Sequence, residues 1–193
     1  MDRNGMEQGI RRFLDALDAD VAANEVAETP ARVARAWADD LLAGYASDPE
    51  RELTWTDVAA GGGPVLVRGI SVASICAHHL LPFFGTADVA YLPGTRLAGL
   101  SKIGRVVDIH ARRLQTQERL TAAIVETLAS ALACRGAIAL VRATHTCMAL
   151  RGVRKERSEM VTLAASGVYD DDRGARGEIL GLLSRSLGRD PGR

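Results

Sequence analysis

The spacing of apolar residues changes period along this chain, and the change divides it. Over residues 6 to 19, Ile10, Phe13, Leu14 and Leu17 recur three or four apart with charges between them, which predicts an amphipathic helix. Glu28-Thr29-Pro30-Ala31-Arg32 predicts the start of a second, with Thr29 as N-cap and Pro30 at the first helical position, where a missing N–H costs nothing. Val33, Trp37, Leu41 and Leu42 would form its buried face and Gly44 its end. Residues 45 to 63 are polar and finish on Gly61-Gly62-Gly63-Pro64, a loop signal. Residues 1–63 therefore read as an N-terminal helical extension with a loop, and residues 64–193 as the main domain.

That domain opens in period two. Val65-Leu66-Val67 and Ile70 to Ile75 are β-type runs, and Thr86 to Leu92 is the return strand, closed by Pro93-Gly94. Helical spacing resumes from Leu100 to Ile109, with Ser101 near the cap. It appears again from Gln117 to Cys134, where Leu120, Ile124, Leu128 and Leu132 are in register and Gly136 stops the helix. Ala137 to Cys147 and Met160 to Ala165 read as two further strands, and Glu178 to Leu187 as a closing helix. An α+β plan, an antiparallel sheet with helices on one face, accommodates this order.

Composition narrows the partners. At 47% hydrophobic and only 4% aromatic residues, the core must be aliphatic. A formal net charge of zero argues against a general nucleic-acid or membrane-surface binder, so a polyanionic ligand would need a local basic cluster. No window reaches the length of a transmembrane span and the first residues lack a signal-peptide core, which predicts a cytoplasmic protein. In a reducing compartment its three cysteines would be free or metal-bound, and Cys134, alone at a helix end, reads as packing.

The chemistry concentrates in two short segments. Cys76-Ala77-His78-His79 crowds a sulfur and two imidazoles at the end of a β-type run, and Thr144-His145-Thr146-Cys147 repeats the combination. A lone cysteine is more often a small buried hydrophobe. Taken together, these residues suit Zn²⁺, which accepts Cys sulfur and His nitrogen and keeps a fourth position for water in catalytic sites. Cys76 and His79 can reach one ion only if the backbone turns between them, and Leu80-Leu81-Pro82 favours such a bend. If Cys147, His145 and Arg151 lie on one strand, they share a face. Beside this group runs a basic series that includes Arg32, Lys102, Arg105 and Arg151, with Lys102 and Arg105 three apart near a helix start, where phosphate oxygens are favoured.

Several stretches together resemble the GTP cyclohydrolase I family, over roughly residues 28 to 169. They are Glu28-Thr29-Pro30-Ala31-Arg32, Cys76-Ala77-His78-His79-Leu80-Leu81-Pro82-Phe83-Phe84-Gly85, Gly99 to Arg105, Gln117-Glu118-Arg119-Leu120-Thr121, and His145-Thr146-Cys147 followed by Arg151-Gly152. The resemblance implies the tunnelling fold, in which sheets of several subunits close into a barrel. It also implies a homo-oligomer, a decamer in the family, with active sites at subunit interfaces. The implied reaction takes GTP and water to 7,8-dihydroneopterin triphosphate and formate. Carried over residue by residue, it makes Cys76, His79 and Cys147 the zinc ligands and His78 the proton donor to the imidazole ring of the base. His145 becomes the acid and base of ring opening and later rearrangement. Glu118, with Gln117 beside it, becomes the guanine contact, and Arg32, Ser101, Lys102, Arg105 and Arg151 the triphosphate cradle.

The chain departs from the family pattern at three places. Ala77 stands where glutamate is common, His110 where phenylalanine or tyrosine is usual, and Met160-Val161-Thr162-Leu163-Ala164-Ala165 where a threonine-rich run is common. Two other readings accompany the leading one. One is a paralogue that stops at a formyl intermediate or uses a modified purine nucleotide. The other is a non-catalytic pterin- or purine-binding protein of the same fold, against which the retained cysteines and histidines argue.

Overall fold

The computed structural model describes residues 1–17 and 23–184. Three helices open it, α1 (Arg3–Asp15), α2 (Ala23–Val26) and α3 (Thr29–Ala36). The part of the first expected helix beyond residue 17 lies outside the described residues. Glu28, not Thr29, is the N-cap of α3, with no side-chain cap bond; Thr29 and Pro30 are already helical. Nor does Gly44 terminate α3. The helix loosens into a π-turn over Trp37–Leu41 and a tight turn over Ala43–Ala46. Leu42 is buried as expected, whereas Leu41 is turned out.

The stretch expected as a loop contains structure. Asp48 accepts from the Glu50 N–H and starts α4 (Pro49–Glu52), and β1 (Trp55–Asp57) follows. This Asp-Pro helix start was readable but lay hidden in polar composition. Then come β2 (Val65–Cys76), β3 (Pro82–Leu92), β4 (Arg96–Ala98), α5 (Leu100–Ala111), β5 (Leu114–Gln115), α6 (Gln117–Leu132), β6 (Gly136–His145), α7 (Thr146–Ala149), β7 (Met160–Gly167), α8 (Val168–Asp171) and α9 (Arg173–Ser184). The expected closing helix continued to Leu187, outside the described residues. Ala133, in the left-handed region at φ 44°, ends α6, and Gly136 opens the next strand instead of stopping the helix.

The main sheet has the order β5-β2-β3-β6-β7, with β1 and β4 pairing separately. β2, β3, β6 and β7 are antiparallel neighbours, but β5 joins β2 in parallel, so the sheet is mixed rather than wholly antiparallel. One face carries the main core. Leu120, Ile124, Leu128 and Leu132 of α6 and Val106 and Val107 of α5 are fully buried against Val89, Tyr91, Ala137, Ala139 and Val141. Small alanines on β6 let α6 approach closely, and truncating one of the α6 leucines to alanine would cost about 2–5 kcal/mol. The helices are not confined to that face. Ile179 and Leu183 of α9, with Tyr169, cover Ala90 and Ile138 on the other side, so the one-face expectation is corrected.

The fold places its working residues at element ends. Gly44 packs against the C-terminal end of α5, where its N–H donates to the Arg112 carbonyl at 3.0 Å and the Arg113 Nε donates to the Gly44 carbonyl at 3.0 Å. Beyond Arg113 the chain runs into β5, which lies beside the last residues of β2. None of the described helices is long and apolar enough to cross a membrane.

Candidate metal centre and substrate cleft

Cys76 is the buried last residue of β2, and the backbone turns immediately after it. The Leu80 N–H donates to the Cys76 carbonyl at 2.9 Å and the Cys76 N–H to the Leu81 carbonyl at 2.9 Å. Leu80 takes φ 54°, an uncommon value for a residue with a Cβ, and closes the turn before β3 begins at Pro82. This is the bend that the sequence required. It brings His79 Nδ1 to 3.7 Å from Cys76 Sγ.

Cys147 arrives from another direction. β6 ends at His145 and the chain coils into α7, so Cys147 sits on a helical turn and Arg151 in the loop beyond, not on a shared strand face with His145. The coil is what delivers the sulfur. One ligand atom each from Cys76, His79 and Cys147 lie within 4.8 Å of one another. Burial first, then the neighbouring Cys76 sulfur, push the Cys147 thiol up, while its own backbone and Arg151 favour the thiolate. A thiol whose ionisation a neighbouring sulfur opposes is a donor that a dication would relieve. Two sulfurs and one imidazole nitrogen fit tetrahedral zinc and leave its fourth position for water.

The two remaining histidines of these segments stand apart from the cluster. His78 is exposed, edge-on to His79 with ring centres 6.1 Å apart. His145 is half-buried and stacks on Phe83 at 4.4 Å with planes 11° apart. Its Nε2 lies 2.9 Å from Gln117 Oε1. Burial lowers its pKa, and the Glu118 carboxylate partly offsets that. Glu118, in the first turn of α6, is therefore within electrostatic reach of His145 in the same chain, and it is exposed. Gln117, expected beside it at the substrate, is only 1% exposed, and both ends of its amide are engaged inside the protein.

The expected cationic residues divide into groups. Lys102 and Arg105, in the first turns of α5, both face Glu52, at 3.8 and 3.4 Å. Glu52 and Arg105 line a cleft of about 310 Å³ with Arg112, Asp108 and Gly44. Ser101 is exposed beside Lys102, and Gly99 rather than Ser101 caps the helix. Arg32 is exposed on α3 without a side-chain partner among the described residues. Arg151 is exposed beyond Cys147.

Sequence reasoning passed over Gln115. It is buried and faces Cys76 across the parallel β2–β5 pair. Its carbonyl accepts from the Ala77 N–H at 2.9 Å, its Nε2 donates to the His110 carbonyl at 2.9 Å, and its Oε1 accepts from Arg119 Nε at 2.7 Å. Gln115 and Arg119 thus brace the ligand turn from behind. Two glutamines at alternating positions before an arginine were visible in the sequence, but no local rule reveals that they are buried.

A sequence model of the GTP cyclohydrolase I family matches residues 6–184. Among curated relatives, the GTP cyclohydrolase 1 of Rhodopirellula baltica is 44% identical over 181 residues, covering 94% of this chain and 79% of the relative. That of Thermobifida fusca is 44% identical over 191 residues, covering 98% and 90%. That of Streptococcus pyogenes serotype M49 is 40% identical over 180 residues, covering 93% and 92%.

Proposed function

The chain belongs to the GTP cyclohydrolase I family, and from that membership we infer that it is an enzyme that opens the imidazole ring of GTP. We propose that the reaction runs to 7,8-dihydroneopterin triphosphate and formate with a zinc ion held by Cys76, His79 and Cys147. The observation that supports this most directly is the convergence of those three donors from a strand end, a turn and a helical coil. When bound there, zinc would lower the pKa of a coordinated water and supply the nucleophile for C8 of the base.

The protein's own residues supply the rest of this reading. His78, exposed next to a ligand, donates a proton to the imidazole ring of the base. His145, held neutral by burial, serves as acid and base in ring opening and rearrangement. Glu118 accepts from the guanine N1–H and 2-amino group. Arg32, Ser101, Lys102, Arg105 and Arg151 neutralise the triphosphate. The active protein would be a cytoplasmic homo-oligomer, a decamer whose sheets close a barrel and whose sites lie between subunits.

Purified, zinc-loaded protein incubated with GTP should release one formate per product, with dihydroneopterin triphosphate seen by mass spectrometry, and chelation of the zinc should abolish both. A product that keeps the formyl carbon would favour the truncated reaction. Binding of GTP without turnover would favour a non-catalytic binder.

A further inference from the structure

Building on the proposed role of His145 in moving protons, we propose that Gln117 is a positioning residue that fixes the His145 ring with its hydrogen on Nε2 and leaves Nδ1 as the working nitrogen. Hydrogen bonding around Gln117 can be satisfied in only one way. Its amide nitrogen lies 3.0 Å from the Val141 carbonyl oxygen, 2.9 Å from that of Met160 and 3.1 Å from Thr162 Oγ1. Carbonyl oxygens only accept, so the atom facing them must be the NH₂ group. Turning the amide over would set Oε1 against two other oxygens.

The neighbouring hydroxyls agree. Thr121 Oγ1 lies 2.7 Å from the Gln117 carbonyl, which can only accept, so the Thr121 hydrogen is committed there. The 2.6 Å contact between Thr121 and Thr162 must then be donated by Thr162, which leaves the two amide hydrogens of Gln117 to the Val141 and Met160 carbonyls. The polar atoms of this side-chain group point in one consistent direction across α6, β6 and β7.

That direction decides the imidazole. Gln117 Oε1 faces His145 Nε2 at 2.9 Å, and an amide oxygen cannot donate, so Nε2 carries the hydrogen. Phe83, stacked on the ring, fixes its plane as well. Nδ1 has no partner among the described residues. A histidine whose tautomer is set by the bond at its other nitrogen is prepared for a single task. Gln117 does this from a position closed to substrate, next to Glu118, which is exposed.

The test uses the zinc-loaded holoenzyme. Solid-state ¹⁵N spectra of histidine-labelled protein, with His145 assigned by the signal lost in His145→Gln, should show a protonated Nε2 and a bare Nδ1 in the neutral ring. The opposite tautomer overturns the proposal, and does so whatever the substrate proves to be. Gln117→Met keeps the length and removes both polar groups. It should lower kcat for formate release by roughly 10-fold or more while KM for GTP stays within about twofold, and its His145 signal should divide between tautomers. Gln117→Glu, protonated toward one of the two carbonyls and accepting from Nε2, should restore the single tautomer and part of kcat. A raised KM with kcat unchanged in Gln117→Met would mean that the amide contacts substrate, and the positioning role would fall. If the methionine variant does not fold, the wild-type spectrum and the glutamate variant still decide the matter. Loss of GTP turnover in the wild type, with Nε2 protonated, would count against the cyclohydrolase reading alone.

Discussion

At the scale of single residues, the departure at His110 has a physical consequence that can be measured. His110 lies buried between α5 and α6, with Nε2 2.8 Å from Thr127 Oγ1. Burial first, and then Arg113, lower its pKa to about 4 from an ordinary 6.5. As pH falls between those values the unfolded chain takes a proton that the folded one refuses. The contribution of this site to stability is therefore intact above about pH 6.5 and declines toward pH 4, by on the order of 3 kcal/mol. Phenylalanine at 110 removes that proton. Denaturant midpoints at pH 7 and pH 4.5 should fall less in His110→Phe than in wild type, and parallel losses would show that His110 does not matter to acid stability. The convergence of Cys76, His79 and Cys147 was legible because they fall in two short segments that each combine cysteine with histidine, both chemically rare. The buried bonding of Gln115 and Gln117 was not, since their partners at Ala77, Val141 and Met160 lie far away in sequence and only the sheet brings them together.

At the scale of elements, the strongly periodic segments were the readable ones. All four leucine-type positions predicted on α6 are fully buried, β2 covers both of its period-two runs, and β3 ends at Leu92 as predicted but begins four residues early, at Pro82. What the pattern hid were short elements whose existence depends on a distant partner, as β1 depends on β4 and β5 on the end of β2. It also hid α7, because the four residues Thr146–Ala149 are too short a stretch for their pattern to tell an extended chain from a coiled one. The contact between the turn that follows α3 and α5 tests the packing at this scale. A Cβ on Gly44 would fall 2.0 Å from the Ile109 carbonyl oxygen and 2.8 Å from that of Arg112, both backbone atoms that cannot swing aside. Gly44→Ala must push α5 away or break the Gly44–Arg112 bond, at a cost of about 3 kcal/mol or more. Urea denaturation should show that loss together with weaker GTP binding, since α5 carries Lys102 and Arg105. An unchanged midpoint would mean that the two segments are less tightly packed than described.

At the scale of the whole molecule, the unanswered question is how one site gathers all of its parts. Within a chain Cys76, His79 and Cys147 converge, and His145 lies within electrostatic reach of Glu118. Lys102 and Arg105 pair with Glu52 instead. Lys102 stands nine residues before Ala111, about 14 Å up the axis of α5, and the far end of that helix leads to β5 beside Cys76. In the proposed reading Arg151, beside Cys147, meets the phosphates from the same chain, and Lys102 and Arg105 meet them from an adjoining copy. The sheet face opposite α5 and α6 exposes Phe84, Val161 and Leu163, apolar surface of the kind that a neighbouring subunit covers. We therefore expect light scattering to give a mass near ten times that of the 20.6 kDa chain. We also expect the site to be shared between subunits, and that expectation can be tested directly. His145→Ala disables the acid–base group and Arg105→Ala the phosphate contact, so each variant alone should be nearly inactive. Co-refolded in equal amounts, they should regain roughly a quarter of wild-type formate release, because about that share of interfaces pairs an intact metal side with an intact cradle. If both residues served one site within one chain, every site in the mixture would carry a defect, and activity would stay at the level of the single variants.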